Sequence, residues 1–491
     1  MSIPQGGVAA LREKARNKPK PISKFEENCP LFTQALKDEL VKILNPKANQ
    51  ETNLHDYQIK AVLNTAEHFG KPLDPDRNER SAALIVAPPG SGKSGMVALL
   101  PYVLNSHKVL VLTPSRIISE QIAADFGYKF DGKGLPFIIK CGLFNVEDNY
   151  EVMLETVHLC DLKKNKDIQN GQNLVIAKAQ IFAGRAKNSL TSDKSRDDVA
   201  KVLQSFDTII VDEAHHCTAQ TWENVINCFE GRKIVFLTAT PFSGNESLLS
   251  ILGDKLEEVF TIRRAEVEGV TIRKSDFTFN PMKHKPFDDP DFFGDLRNDI
   301  DEALGRHVAQ ENRNVGEHSP QAMILVTTMK QAEETAEALG RDATFVISAA
   351  EGDANLKQFN KGDKKIAVVC GMLREGYDNS RVTLVVFIRN CGSRVLFEQF
   401  CGRCIRMNRN LANVTRSEMG KDKTIGTILS YQCYPGIKKF WEERDKPIAD
   451  VEPDYEDNVT SCLFGNKFFK NGDKKVYRAV CSPPRNRMCQ S

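Results

Sequence analysis

The strongest constraint on the fold is an alternation of short apolar runs with helix-like segments, which begins near residue 80. In the first half of the chain the runs cover residues 82–87, 109–112, 174–177, 208–211 and 234–237. Strands that are apolar on both faces, each followed by a helix, are typical of a parallel sheet covered on both sides. The pattern therefore predicts an α/β domain.

A second series of apolar runs follows a stretch rich in Pro and Asp at residues 280–291, which is typical of a linker. These runs cover residues 323–326, 344–347, 366–370, 384–388 and 425–429. Between the first two, Met329, Ala332, Ala336 and Leu339 share one helical face, and Gly340 stands where a C-terminal cap belongs. The chain is predicted to contain two α/β domains in tandem.

The length of 491 residues is sufficient for two or three domains. Residues 1–50 are predicted to form a basic, flexible extension, 51–270 the first domain and 301–450 the second. Residues 141–205, rich in Asn, Asp and Lys, are predicted to be an insertion, and 271–300 a linker. The fold of residues 451–491 cannot be assigned from the sequence.

The bulk composition is that of a globular protein outside the membrane. No apolar run is long enough to span a bilayer, and no signal peptide is recognisable. Thirteen scattered cysteines indicate reduced thiols in an intracellular compartment. The formal net charge of +2 neither favours nor excludes a nucleic-acid partner, because the positive charge could be concentrated in a groove.

The segment from Ala87 to Ser94 (APPGSGKS) follows an apolar run and precedes a helix-like segment, which is the context of a phosphate-binding loop. Gly90 and Gly92 allow backbone N–H groups to turn toward phosphates at the positive end of the helix. The ammonium group of Lys93 can reach the terminal phosphates, and the hydroxyl of Ser94 can bind Mg²⁺. The loop predicts ATP and Mg²⁺ as ligands.

An acidic pair, Asp212 and Glu213, ends the apolar run 208–211. A carboxylate at a strand end beside the loop can hold Mg²⁺ through water, and its neighbour can orient the attacking water. His215 and His216 follow, without the helical H-E-x-x-H pattern of a metal site.

The second half of the chain supplies two arginines of interest. In the segment SRVLFEQFCGRCIRM (393–407), helical spacing places Gln399, Arg403 and Arg406 within one narrow sector. Guanidinium groups there could stabilise charge on a γ-phosphoryl group, although a solvated charged face is an equally good interpretation of this segment alone. Cys401 and Cys404 lack a companion pair for zinc and are interpreted as packing residues.

Taken in order, these segments resemble the motifs of superfamily 2 helicases and translocases over roughly residues 50–430. LHDYQ (54–58) is similar to an adenine-reading element, APPGSGKS to motif I, and TPSR (113–116) to motif Ia. DEAH (212–215) resembles motif II, TAT (238–240) motif III, REGYD (374–378) motif V, and the 399–406 segment motif VI. The doubled His of DEAHH and the phrase GMLREGYDN most resemble the restriction-type (type III restriction subunit-like) and excision-repair-like group.

The resemblance implies two RecA-like domains, each a mostly parallel sheet covered by helices, with ATP bound in the cleft between them. It implies nucleotide-binding roles for Gln58, Ala87, Pro88, Pro89, Gly90, Ser91, Gly92, Lys93, Ser94, Gly376 and Asp378. It implies catalytic roles for Lys93, Glu213, Gln399, Arg403 and Arg406, and Mg²⁺ binding by Ser94 and Asp212. Coupling roles fall to His215, Thr238 and Thr240, and nucleic-acid contacts to Pro114, Ser115, Arg116, Gln180 and Thr327.

Three functions fit this pattern. The favoured one is an ATP-dependent helicase or translocase on DNA, and the second is an RNA helicase or double-stranded-RNA-responsive ATPase with the same core. A binding-only regulatory protein is the third, and it is disfavoured because every catalytic position of the motifs is intact.

Overall fold

The computed structural model describes residues 37–42, 54–72, 80–127, 137–143, 157–159, 174–178, 205–214, 219–229, 231–243, 246–247, 249, 252–282, 287, 289, 291–311, 319–346, 350–370, 379–392, 394–406 and 425–444.

The first domain is built on seven parallel strands. Their bounds are β1 Ala82–Val86, β2 Val109–Thr113, β3 Val157–Leu159, β4 Leu174–Lys178, β5 Thr208–Val211, β6 Lys233–Thr238 and β9 Leu256–Thr261. In space they lie in the order β3, β4, β2, β5, β6, β1 and β9, and a separate two-stranded hairpin pairs β7 Phe242–Ser243 with β8 Glu246–Ser247. Because β5, β6 and β1 are neighbours, their carboxyl ends lie side by side at one edge.

Helices cover both faces of this sheet. They are α1 Asp56–Gly70, α2 Lys93–Val103, α3 Arg116–Asp125, α4 Phe137–Lys140 and α5 Ala219–Cys228. Ala83 and Ile85 of β1 pack into the core that contains α1 and α2, whereas Leu84 packs into a second core around Trp222 of α5. Alternate residues of one strand therefore face two different cores, as the wholly apolar runs predict.

The second domain contains six parallel strands in the order β10, β15, β14, β11, β13 and β12. The strands are β10 Ser275–Asn280, β11 Gln321–Leu325, β12 Ala343–Val346, β13 Ile366–Val369, β14 Val382–Phe387 and β15 Gly426–Tyr431. The described helices from the end of the first sheet onward are α6 Arg264–Val267, α7 Phe292–Glu311, α8 Met329–Leu339, α9 Ala350–Lys361, α10 Arg394–Cys401 and α11 Pro435–Glu443.

The predicted strands and the predicted helix are confirmed. All ten apolar runs are strands, and α8 has the predicted bounds, with Thr328 as its N-cap and Gly340 as its C-cap. The predicted insertion at 141–205 contains β3 and β4, which extend the first sheet. The predicted linker at 271–300 contains β10, which is an edge strand of the second sheet, and the start of α7.

Among the described helices, none is both long and apolar enough to cross a lipid bilayer.

His307 joins α7 to two strands of the second sheet. One ring nitrogen lies 2.8 Å from Thr383 Oγ1 on β14 and the other 3.0 Å from Thr427 Oγ1 on β15. The side chain is buried, and this burial, with Arg273 and Arg306 nearby, lowers the pKa of His307 to about 4. The imidazole therefore remains neutral in the folded domain at neutral pH.

We expect acid to destabilise the second domain through His307. The pKa of His307 is lower in the folded state than the ordinary value of 6.5. The contribution of His307 to the free energy of unfolding is therefore fully present above pH 6.5 and is lost as the pH falls toward 4. At about 1.4 kcal/mol per pKa unit the loss approaches about 3 kcal/mol. Chemical denaturation between pH 7.5 and 4 should show a flatter dependence for His307→Gln, which cannot titrate. Equal pH slopes for the two proteins would contradict the assignment.

Candidate nucleotide-binding site

The predicted phosphate loop connects β1 to α2, and its two glycines adopt backbone angles that favour glycine. Gly90 has φ +82° and Gly92, the N-cap of α2, has φ +81°. An added side chain would also displace a neighbour, since a Cβ on Gly92 would lie 2.2 Å from Nε2 of Gln58. A Cβ on Gly90 would lie 2.8 Å from Cγ2 of Ile272. Both positions therefore favour glycine.

Lys93 is buried at the start of α2 and folds back over the loop. Its Nζ donates to the carbonyl oxygen of Ala87 at 3.2 Å and lies 3.4 Å from Oε1 of Glu213. The ammonium group thus links the beginning of the loop to the acidic end of β5. A terminal phosphate of a bound nucleotide would be a stronger partner for this cation than a neutral carbonyl.

Asp212 and Glu213 lie at the carboxyl end of β5, beside the loop. Asp212 is 4% exposed, and its burial, reinforced by the neighbouring Glu213 carboxylate, raises the pKa of Asp212 to about 7 against the opposing effect of Lys93. Its Oδ1 is buried and has no hydrogen-bond partner among the residues that the structure describes. A buried carboxylate that lacks sufficient positive charge fits a divalent cation, so these residues suit the predicted Mg²⁺ site.

Glu213 itself has a strained backbone, with φ +47°. A non-glycine residue in the left-handed region costs on the order of 1–3 kcal/mol and is often found at functional sites. Here the conformation accompanies the approach of the Glu213 carboxylate to Lys93.

The threonines predicted to couple nucleotide state to the nucleic-acid surface form a tight turn after β6. Thr238 Oγ1 accepts from the amide of Thr240 at 3.1 Å and donates to its carbonyl at 3.0 Å. The carbonyl of Thr238 also accepts from the amide of Ala87 at 2.9 Å, so the turn is joined directly to the phosphate loop.

Gln58, predicted to contact adenine, binds the phosphate loop in this conformation. Its Nε2 donates to the carbonyl of Ser91 at 3.0 Å, and its Oε1 accepts from the amide of His55 at 2.9 Å. The neighbouring Tyr57 donates to the same Ser91 carbonyl at 2.8 Å, and its ring stacks on His55. The start of α1 therefore supports the loop through two side chains, of which the sequence motif indicated only one.

The arginines of the second domain lie in a turn, not on a helix. The prediction that Gln399, Arg403 and Arg406 share one helical face is wrong, because α10 ends at Cys401. The amide of Arg403 donates to Phe400 at 3.0 Å, and the next residue likewise bonds three residues back. This tightening ends the α-helix. We call residues 402–406 the arginine turn.

The arginine turn lies against the phosphate loop. A Cβ on Gly402 would lie 3.0 Å from Cβ of Pro89, and Arg403 is 5% exposed. Gln399 lies on α10 and Arg406 lies at the end of the turn, and both are half-buried. The structure therefore brings the arginine turn of the second domain next to the phosphate loop of the first. Cys401 and Cys404 are buried thiols, in agreement with packing roles.

The remaining predicted residues are partly described. Pro114 is buried, Ser115 caps α3 by accepting from the amide of Ile118, and Arg116 is the first residue of that helix. Thr327 is exposed after β11. Ser94 is half-buried in the first turn of α2. His215, Gln180, Gly376 and Asp378 lie outside the described residues.

Substitution of Gly92 by Ala should weaken nucleotide binding. An added Cβ strains the left-handed backbone and displaces the Gln58 side chain that supports the loop. Gly231→Ala is the matched control, because Gly231 has φ +73° but no atom within 4 Å of an added Cβ. In the control, backbone strain should lower the free energy of unfolding by only about 1–2 kcal/mol, and the nucleotide should bind normally. Titration with a fluorescent ATP analogue measures the nucleotide affinity of both variants. Normal binding by Gly92→Ala would contradict this account of the loop.

Comparison with known proteins shows which families the two domains resemble. Residues 51–243 match the family model described as "Type III restriction enzyme, res subunit", and residues 305–408 match "Helicase conserved C-terminal domain". The Sulfolobus islandicus filamentous virus protein "Putative helicase 22" is 22% identical over 403 residues, covering 76% of this chain and 67% of the viral protein. The Saccharomyces cerevisiae protein "Putative ATP-dependent helicase IRC3" is also 22% identical, over 246 residues.

The match to the yeast protein covers 42% of this chain, and it spans only 34% of the length of the yeast protein. A solved fragment of "a putative HsdR subunit of a type I restriction enzyme" from Vibrio vulnificus YJ016 has a TM-score of 0.50 and 15% identity. That alignment covers 85% of this chain and 69% of the fragment. The two parallel sheets covered by helices are two tandem RecA-like domains. Because the first matches a restriction-type family and the second a helicase C-terminal domain, the chain belongs to the superfamily 2 helicases, close to their restriction-type group.

Proposed function

We propose that this helicase hydrolyses ATP with Mg²⁺ between its two RecA-like domains and thereby moves along or separates the strands of a nucleic acid, preferentially DNA. The observation that carries the proposal is the convergence of Lys93, the two acids of β5 and the arginine turn on one phosphate loop. Cation, carboxylates and guanidinium groups are the groups that phosphoryl transfer uses.

Each side chain has a distinct proposed role. Lys93 exchanges the carbonyl of Ala87 for the terminal phosphates, so the ammonium group keeps an acceptor after the exchange. Asp212 and Ser94 would hold Mg²⁺, which would supply positive charge to the phosphate oxygens. Such a cation would also favour the carboxylate form of Asp212 over the protonated form that burial favours. Glu213 orients the attacking water, and its contact with Lys93 keeps it at the site.

The second domain completes the site. Arg403 and Arg406 stabilise the charge of the transferring phosphoryl group, and Gln399 lies one turn earlier on α10. Ala87 to Ser94 cradle the nucleotide, with Gly376 and Asp378 contributing from the second domain. Gln58 is already bonded to Ser91 and His55, so a contact with adenine would engage a side chain that also supports the loop, and nucleotide binding and loop geometry would be linked at this residue.

The proposed path to nucleic acid runs through His215, Thr238 and Thr240 to Pro114, Ser115, Arg116, Gln180 and Thr327. The bond between Thr238 and Ala87 supports this path, because it attaches the coupling turn to the phosphate loop. Contacts from such loops would be made mainly to phosphate and sugar and would weaken steeply with salt. The restriction-type resemblance favours DNA. An RNA-dependent ATPase with the same core is the second candidate, and a binding-only regulatory protein is a third.

Lys93→Ala should reduce nucleic-acid-stimulated ATPase activity to background, because it removes the cation that binds the terminal phosphates. Lys330→Ala is the control, since Lys330 is a highly exposed lysine of α8 paired with Glu334. Phosphate release should be measured with single- and double-stranded DNA and RNA in parallel. Stimulation by DNA above RNA supports the proposal, the reverse order supports the second candidate, and no stimulation by any of the four supports the binding-only alternative.

Arg403→Ala should lower the stimulated turnover number by about a thousandfold, the scale of an arginine supplied across a cleft. Nucleotide affinity should change little, because the phosphate loop remains intact. Arg306→Ala, at an exposed arginine of α7, is the control for charge removal in the same domain. Full stimulated activity of Arg403→Ala would overturn the two-domain site.

A further inference from the structure

The segment that leaves the first domain, residues 267–275, contacts both halves of the proposed site. The first contact is made by Thr271, whose Oγ1 lies 3.2 Å from the hydroxyl of Tyr57. The same Tyr57 hydroxyl lies 2.8 Å from the carbonyl oxygen of Ser91 in the phosphate loop. A carbonyl only accepts, so Tyr57 donates its single proton to Ser91 and accepts from Thr271.

The next two residues pair with the arginine turn of the second domain. Ile272 forms an antiparallel bridge with Arg406, and the amide of Arg273 donates to the carbonyl of Ile405 at 2.6 Å. Because Thr271 and Ile272 are consecutive, the hydroxyl contact and the backbone pairing are separated by one peptide unit. That unit is planar and stiff. The buried side chains of Ile272 and Arg273 restrict the torsions beside it, so a displacement at one contact is passed to the other.

Buried side chains anchor the segment on both sides. Ile272 is fully buried, and its Cγ2 lies where a Cβ on Gly90 would clash, at 2.8 Å. The guanidinium group of Arg273 is also fully buried and donates to the carbonyls of Ser380 and Val382, at 2.9 and 3.2 Å, in the second domain. The segment cannot shift without disturbing either the phosphate loop or the second sheet.

We infer that Tyr57 and Thr271 are positioning residues for ATP hydrolysis, which hold the arginine turn at the phosphate loop through the path Ser91, Tyr57, Thr271, Ile272 and Arg406. This inference rests on the proposed function, because it needs the arginine turn to act on the nucleotide. A nucleotide that moves the Ser91 carbonyl changes the bond from Tyr57, and the path carries that change to the arginines. Small displacements of positioned groups lower the rate of chemistry more than they lower binding.

The test is a double-substitution cycle in the full chain with Tyr57→Phe, Thr271→Val and both together. Each single variant retains its shape and loses one hydroxyl, and each should lower the stimulated turnover number about fivefold to tenfold, the scale of one hydrogen bond. The KM for ATP should change less than twofold. The double variant should resemble either single one, since both break the same path. Thr271→Ser, which keeps the hydroxyl, should retain wild-type turnover.

The matched control is Thr335→Val in α8. Thr335 is fully buried, and its Oγ1 has no hydrogen-bond partner within the described part of the chain, so a hydroxyl is removed without breaking a bond there. This variant should retain wild-type turnover. Multiplicative losses in the double variant, or an unchanged turnover number with a raised KM, would overturn the inference.

A second measurement does not depend on hydrolysis. Hydrogen–deuterium exchange should be faster in Tyr57→Phe and Thr271→Val for peptides covering residues 271–275 and 400–406, and unchanged for residues 329–339. Unchanged exchange at 400–406 would overturn the positioning role. A wild-type protein without nucleic-acid-stimulated ATPase activity would overturn the proposed function, whereas an active wild type with fully active variants would overturn this inference alone.

Discussion

The order and direction of three neighbouring strands bring the groups of the candidate site together. In the first sheet β5, β6 and β1 are adjacent and run in the same direction, so the segments that follow them emerge at one edge. Lys93 follows β1, Glu213 follows β5, and their charged atoms are 3.4 Å apart although 120 residues separate them in sequence. The bond from Ala87 to the carbonyl of Thr238, at the end of β6, closes the same edge. Ligand sites in open α/β sheets commonly lie at this edge.

The charges gathered at that edge determine what it can bind. Burial and the proximity of Glu213 raise the pKa of Asp212 to about 7, and Lys93 only partly opposes this effect. A buried cluster with two acids and one cation is costly unless further positive charge joins it. Mg²⁺ bound with ATP would supply that charge on one side, and Arg403 on the other. The electrostatic imbalance of the nucleotide-binding edge is therefore consistent with a site that is completed by its ligand and by the second domain.

The connection between the domains contributes to the site as well as joining its halves. Its α6 is held by Arg264, a buried arginine that pairs with Glu268 at 3.2 Å and with Glu398 of α10 at 3.7 Å. β10 then joins the second sheet at its edge beside β15. The intervening residues contact the phosphate loop and the arginine turn. A connection bound in this way differs from a flexible tether, because its position is fixed by buried polar contacts.

Apolar periodicity and loop chemistry are local properties, so the two sheets, the phosphate loop, the acidic pair and α8 with its Gly340 cap could be predicted from the sequence. It did not indicate β9 and β10, since these edge strands are half-exposed and lack a continuous apolar run. The end of α10 at Cys401 and the left-handed Glu213 arose from three-dimensional packing. Tyr57 and Thr271 form a contact across 214 residues that no local pattern encodes. Tertiary structure alone decided these features, because they depend on which distant backbone groups face each other after the chain has folded.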